Sequence, residues 1–73
     1  MTHTVSPQVR LANEIALQFR GQDVDAAAAK IDRHIRDFWD PRMRADLLHR
    51  AETGVETMDP LVVAAVRLLR HQA

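Results

Sequence analysis

A chain of 73 residues has room for one small domain, and surface scaling implies that it buries only roughly 60% of its unfolded surface, so a deep catalytic pocket would consume much of its core. The absence of cysteine excludes disulfides, zinc–thiolate sites and iron–sulfur ligation by this chain. Ten basic residues balance ten acidic ones, whereas a general nucleic-acid binder carries a basic excess.

Marginal stability is the expectation for so small a monomer, and a partner would relieve it by mass action. Met1–Val5 has no basic region leading into an apolar core, so no secretory signal is expected. No apolar run approaches the ~20 residues that cross a bilayer. A cytoplasmic chain without a membrane span is the expectation. Nine of the ten basic residues are arginine. Two readings of that bias stay open: interfacial carboxylate pairing, which the planar guanidinium suits, and arginine-rich codon usage.

Ser6-Pro7, Asp40-Pro41 and Asp59-Pro60 each set a capping side chain before a proline. The cap oxygen accepts from first-turn amides, and proline at the first helical position forfeits no hydrogen bond. Each pair predicts a helix start. The first helix is expected from Pro7 to about Arg20, stopped by Gly21. Val9, Ala12, Ile15, Ala16 and Phe19 form its apolar stripe, with Leu11 and Leu17 outside it. The second is expected after Asp23, to about Trp39. Its face is Val24, Ala27, Ala28, Ile31, Ile35 and Phe38, with Trp39 at the edge. The Ala26–Ala29 run has high helix propensity and permits close helix approach.

The third helix is expected from Pro41 to about Thr53, stopped by Gly54, with Met43, Leu47, Leu48 and Ala51 inward. Proline keeps Asp40 out of helical dihedrals, so a sharp corner separates helices two and three. The fourth should run from Pro60 to about His71, with Leu61, Val62, Ala65, Val66 and Leu69 on one face. Val63, Ala64 and Leu68 extend its apolar character. Two readings follow: a face left for a partner, or a central helix buried on both sides. No strand alternation persists. The fold class is all-α, a small bundle of about four short helices forming one domain over residues 1–73.

The chemistry-bearing residues do not assemble a reaction. His34 with Asp37, and His49 with Glu52, have i,i+3 spacing, yet no Glu-x-x-His or His-Glu-x-x-His occurs. Together with His3 and His71 they read as scattered surface histidines. No nucleophile stands with a base, and Gly21 and Gly54 are explained as caps. No catalytic, cofactor-binding or metal-binding residue is assigned. Several arginines have acids four residues away: Arg10 with Glu14, Asp32 with Arg36, and Asp46 with Arg50. Arg42 lies four from Asp46, and Arg44 four from Asp40. A capping role for Asp40 leaves Arg44 the most available for an external carboxylate.

Phe38-Trp39-Asp40-Pro41-Arg42-Met43-Arg44 concentrates the residue types enriched at protein interfaces. Phe38, Trp39, Pro41, Arg42, Met43 and Arg44 are therefore the candidate partner-binding residues. Trp39 is the expected anchor, Met43 fills the gap, and Arg42 and Arg44 meet carboxylates. Three alternatives remain open. The apolar members are core and the arginines solvated; or helix three enters a DNA groove as part of a helix-turn-helix regulator, despite Asp46 and Glu52; or the chain is a helical homodimer joined along helix four.

This stretch, preceded by His34-Ile35 and joined by Leu11-Ala12-Asn13-Glu14-Ile15, Phe19 and Asp59-Pro60-Leu61-Val62, is similar to one family. The chain resembles the delta subunit of cytoplasmic NAD-dependent formate dehydrogenases of the molybdenum- or tungsten-containing type. The likeness spans roughly Val9 to Arg70, with Leu11 where many relatives would carry methionine. The resemblance implies a non-catalytic accessory subunit whose partner is the large catalytic subunit, supporting assembly, stability or cofactor insertion. It also implies that bis-molybdopterin guanine dinucleotide, iron–sulfur clusters and flavin reside in partner subunits.

Overall fold

The computed structural model describes residues 6–54 and 57–71; the expectations for Met1–Val5 and His3 lie outside them. Four helices follow in chain order: α1 (Pro7–Leu17), α2 (Val24–Phe38), α3 (Pro41–Thr53) and α4 (Pro60–His71). All three cap-proline pairs open a helix. Ser6 Oγ accepts from the Val9 amide at 3.3 Å, and Asp40 Oδ1 from the Met43 amide at 2.9 Å. Asp59 Oδ1 accepts from the Leu61 amide at 2.9 Å, while its carbonyl takes those of Val62 and Val63. Asp23 caps α2 through the Ala26 amide at 3.1 Å.

Helix ends depend on less local causes. Gly54 ends α3 in the left-handed region, at φ 67°, as its position predicts. α1 stops about one turn before the expected Arg20. From Gln18 onward the amides bond three residues back: Gln18 to Ile15, Phe19 to Ala16 and Arg20 to Leu17. This is the tightened final turn common at helix ends. Gly21, at φ 89°, follows that turn rather than the helix itself.

α2 and α4 share the most extensive packing. Ile31 and Ile35 of α2, Val9 of α1, Leu47 of α3 and Val62 of α4 are the largest fully buried side chains. Ala12, Ala16, Ala27 and Ala65 fill the core between them, and such small side chains let helix axes approach. All five residues expected on the inner face of α4 are buried. On its other side, Val63 is exposed while Ala64 and Leu68 are half-buried.

The face predicted for α2 fails at its two ends. Val24 is 52% exposed and Phe38 74% exposed, whereas Ala27, Ala28, Ile31 and Ile35 are buried. The angle around the helix axis was right, but the terminal residues overhang the stretch that neighbouring helices cover. Trp39, expected at the edge of this face, closes the core instead.

Polar bonds tie the helices together. Asp32 is buried and accepts from Arg36 Nε at 2.8 Å. The same guanidinium donates through Nη2 to the Leu68 carbonyl at 3.3 Å, serving a last-turn carbonyl of α4. Asn13 of α1 grips the α3–α4 connection twice: its Nδ2 donates to the Thr57 carbonyl at 3.2 Å, and its Oδ1 accepts from the Asp59 amide at 2.9 Å. Arg20 also reaches Asp59, at 3.3 Å. Asp46 pairs with Arg50 at 3.3 Å, as spacing suggested. Arg33 pairs with Asp37 at 3.0 Å, a further i,i+4 pair on α2.

Candidate partner-docking site

The α2–α3 corner consists of Trp39 and Asp40, both with extended backbone. Proline at 41 disfavours helical dihedrals at Asp40. The Asp40 carboxylate, as cap of α3, then fixes where the next helix begins. Trp39 leaves α2 with φ −95° and ψ 140°, which ends the helical register between Phe38 and itself. The two neighbouring rings consequently part company. Trp39 is 7% exposed and belongs to the core cluster. Phe38 projects outward, its ring centroid 4.9 Å from that of His34 and tilted by 40°.

The expected anchor thus lies in this chain's own core. In this conformation an indole sealed in the core offers a partner almost no surface. The exposed aromatic of the corner is Phe38, although helical spacing puts it on the apolar face of α2. Met43 is half-buried and packed against the core cluster, so it fills a gap within this chain rather than one between two guanidinium groups.

The two arginines also differ in placement. Arg44 is half-buried, and its Nη1 makes a long contact of 3.5 Å with the Arg36 carbonyl across the corner. That carbonyl lies in the last turn of α2, where intrahelical donors run out. Arg42 is exposed and has no hydrogen bond or ion pair among the described residues. Asp46, its neighbour four positions on, is engaged by Arg50 instead. Arg42, rather than Arg44, is the cation most available to an outside carboxylate.

The corner thus presents Phe38, Pro41 and Arg42 to solvent, with His34 behind the phenyl ring. Trp39, Met43 and Arg44 form the buried and half-buried side of this ledge. An exposed aromatic and a guanidinium without a partner among the described residues, both at one corner, suit a partner with an apolar recess and a carboxylate. Among the described residues, no group of three or more histidine, aspartate or glutamate side chains is placed to hold a metal ion. None of the helices, likewise among the described residues, is long and apolar enough to cross a membrane.

A family model described as the NADH-dependant formate dehydrogenase delta subunit FdsD matches residues 8–66. No curated protein and no solved structure matches the chain. The matched span contains α1 from its second residue on, α2 and α3 whole, and the first part of α4. The chain belongs to the formate dehydrogenase delta-subunit family. Membership implies association with other formate dehydrogenase subunits.

Proposed function

We propose that this chain is a non-catalytic accessory subunit of a multi-subunit NAD-dependent formate dehydrogenase, docking through the α2–α3 corner onto the large catalytic subunit. Family membership supports the enzyme; the single observation supporting the surface is Phe38, 74% exposed on a corner whose other large ring is sealed in the core. An exposed phenyl ring gains by burial in a partner, on the order of 25 cal/mol for each Å² of apolar surface removed from water. Arg42 adds a directional charged contact.

In this reading the partner subunits carry bis-molybdopterin guanine dinucleotide, iron–sulfur clusters and flavin. The small chain acts in the cytoplasm by stabilising the catalytic subunit or holding it competent for cofactor insertion. Its contribution is a surface, with no proton, electron or substrate passing through its own residues. The complex assembled with and without this chain tests the role. Without it, formate oxidation per mole of catalytic subunit should fall, and so should bound molybdenum or tungsten. Unchanged activity, metal content and thermal half-life would exclude an assembly or stabilising role. The surface is tested by Phe38→Ala and Arg42→Ala: each should lower recovery of the large subunit, with a hot-spot loss of at least about 2 kcal/mol for Phe38.

A further inference from the structure

A second feature lies away from the corner residues. Between α3 and α4 runs a groove of about 250 Å³, with Ala51, Met58, Val63 and Val66 as apolar lining and Arg67 and Arg70 as cations. Val63 is 40% exposed there. The wall carrying Met58 is fixed from outside the groove. Asn13 bonds the Thr57 carbonyl and the Asp59 amide, one on each side of Met58, and Met58 itself packs against the core. These bonds brace the Met58 side of the recess, and bracing of a binding surface lowers the cost of binding.

The two arginines differ. Arg70 is committed to α3: its Nη2 donates to the Leu48 carbonyl at 3.2 Å and lies 3.7 Å from Glu52. Arg67, one turn earlier, is exposed and has no hydrogen bond or ion pair among the described residues. The groove therefore offers an apolar recess beside one uncommitted positive charge. Its volume lies below the ~300–1,000 Å³ usual for small-molecule pockets. That size suits one or two side chains better than a cofactor.

We propose that this groove receives an apolar side chain from a partner formate dehydrogenase subunit, with an aspartate or glutamate on the same partner segment pairing with Arg67. The proposal rests on the accessory-subunit reading and adds a second contact to it. Charge complementarity selects the occupant: an apolar residue beside an acid satisfies both the recess and Arg67, whereas a basic segment would meet two guanidinium groups.

The test co-expresses the tagged chain with the other subunits of the enzyme. Wild type is compared with Val63→Arg, which fills the recess with charge, and with Arg67→Glu, which reverses the rim. Both are expected to retain helical circular dichroism and to lower affinity for the other subunits about tenfold. Arg67→Lys, which keeps the charge, should recover most of the binding. If Val63→Arg does not fold, Arg67→Glu still probes the same groove from an exposed position. Folded variants that bind like wild type would overturn the groove assignment while leaving the accessory role standing. So would a self-associating wild type that Val63→Arg converts to monomer, since the occupant would then be a second copy. A wild-type chain that captures no other subunit would overturn the accessory reading and this proposal with it.

Discussion

The inner and outer sides of the α2–α3 corner are built from adjacent residues under opposite constraints. Inside, Trp39 completes the core, Met43 packs beneath it, and Arg44 reaches back to a carbonyl of α2. Outside, Phe38, Pro41 and Arg42 carry no tertiary load comparable to the indole's. One cluster of interface-type residues therefore divides into a foundation and a surface. Residue type alone cannot make that division, because aromatics serve cores and interfaces through the same burial of apolar area. What separates them is a single change of backbone conformation after Phe38.

Trp39→Ala should break the foundation. Truncating a buried aromatic typically costs about 3–5 kcal/mol, comparable with the total stability a core of this size supplies. The isolated variant should lose most of its helical circular dichroism at room temperature. A cooperative melt close to wild type would show that the indole is not a structural keystone. Asp40→Ala probes the same corner more gently, by removing the carboxylate that accepts from the Met43 amide. A lost N-cap costs about 1 kcal/mol, which lowers the melting temperature by about 4–8 °C in a domain of this size. An unchanged melting temperature would mean that water serves the first turn of α3 equally well.

The difference between the two sides also marks where sequence reasoning stops. Helix starts were legible because a cap and a proline act within one turn of themselves, as Ser6-Pro7, Asp40-Pro41 and Asp59-Pro60 do. The inner face of α4 was legible because helical periodicity determines angle. Overhang was not legible: periodicity puts Phe38 on the same stripe as Ile31 and Ile35, but says nothing about where neighbouring helices end. The retraction of α1 from Arg20 to Leu17 is a similar matter of length. Asn13 was visible only as part of a family-like stretch. Its clamp joins residues 44 and 46 positions away, and no local pattern encodes such a pairing. In the Phe38–Arg44 segment the concentration of interface-type residues was legible, while their division between core and surface was not.

The smallest expected effect sharpens the comparison most. Phe38→Ala removes a ring exposed over most of its surface and a single tilted contact with His34. Losing that contact would cost up to about 1 kcal/mol if it were fully formed and desolvated, and less at an exposed position. Against this, alanine is the better helix former, by a few tenths of a kcal/mol. The two effects nearly cancel, so the isolated chain should melt within about 0.5 kcal/mol of wild type, as surface substitutions usually do. Denaturation of the free chain, set beside recovery of the large subunit, separates the two roles of the corner. A neutral melt with impaired recovery assigns Phe38 to the partner. A melt destabilised by 2 kcal/mol or more would instead place the ring in this chain's own core and dissolve the distinction between ledge and foundation.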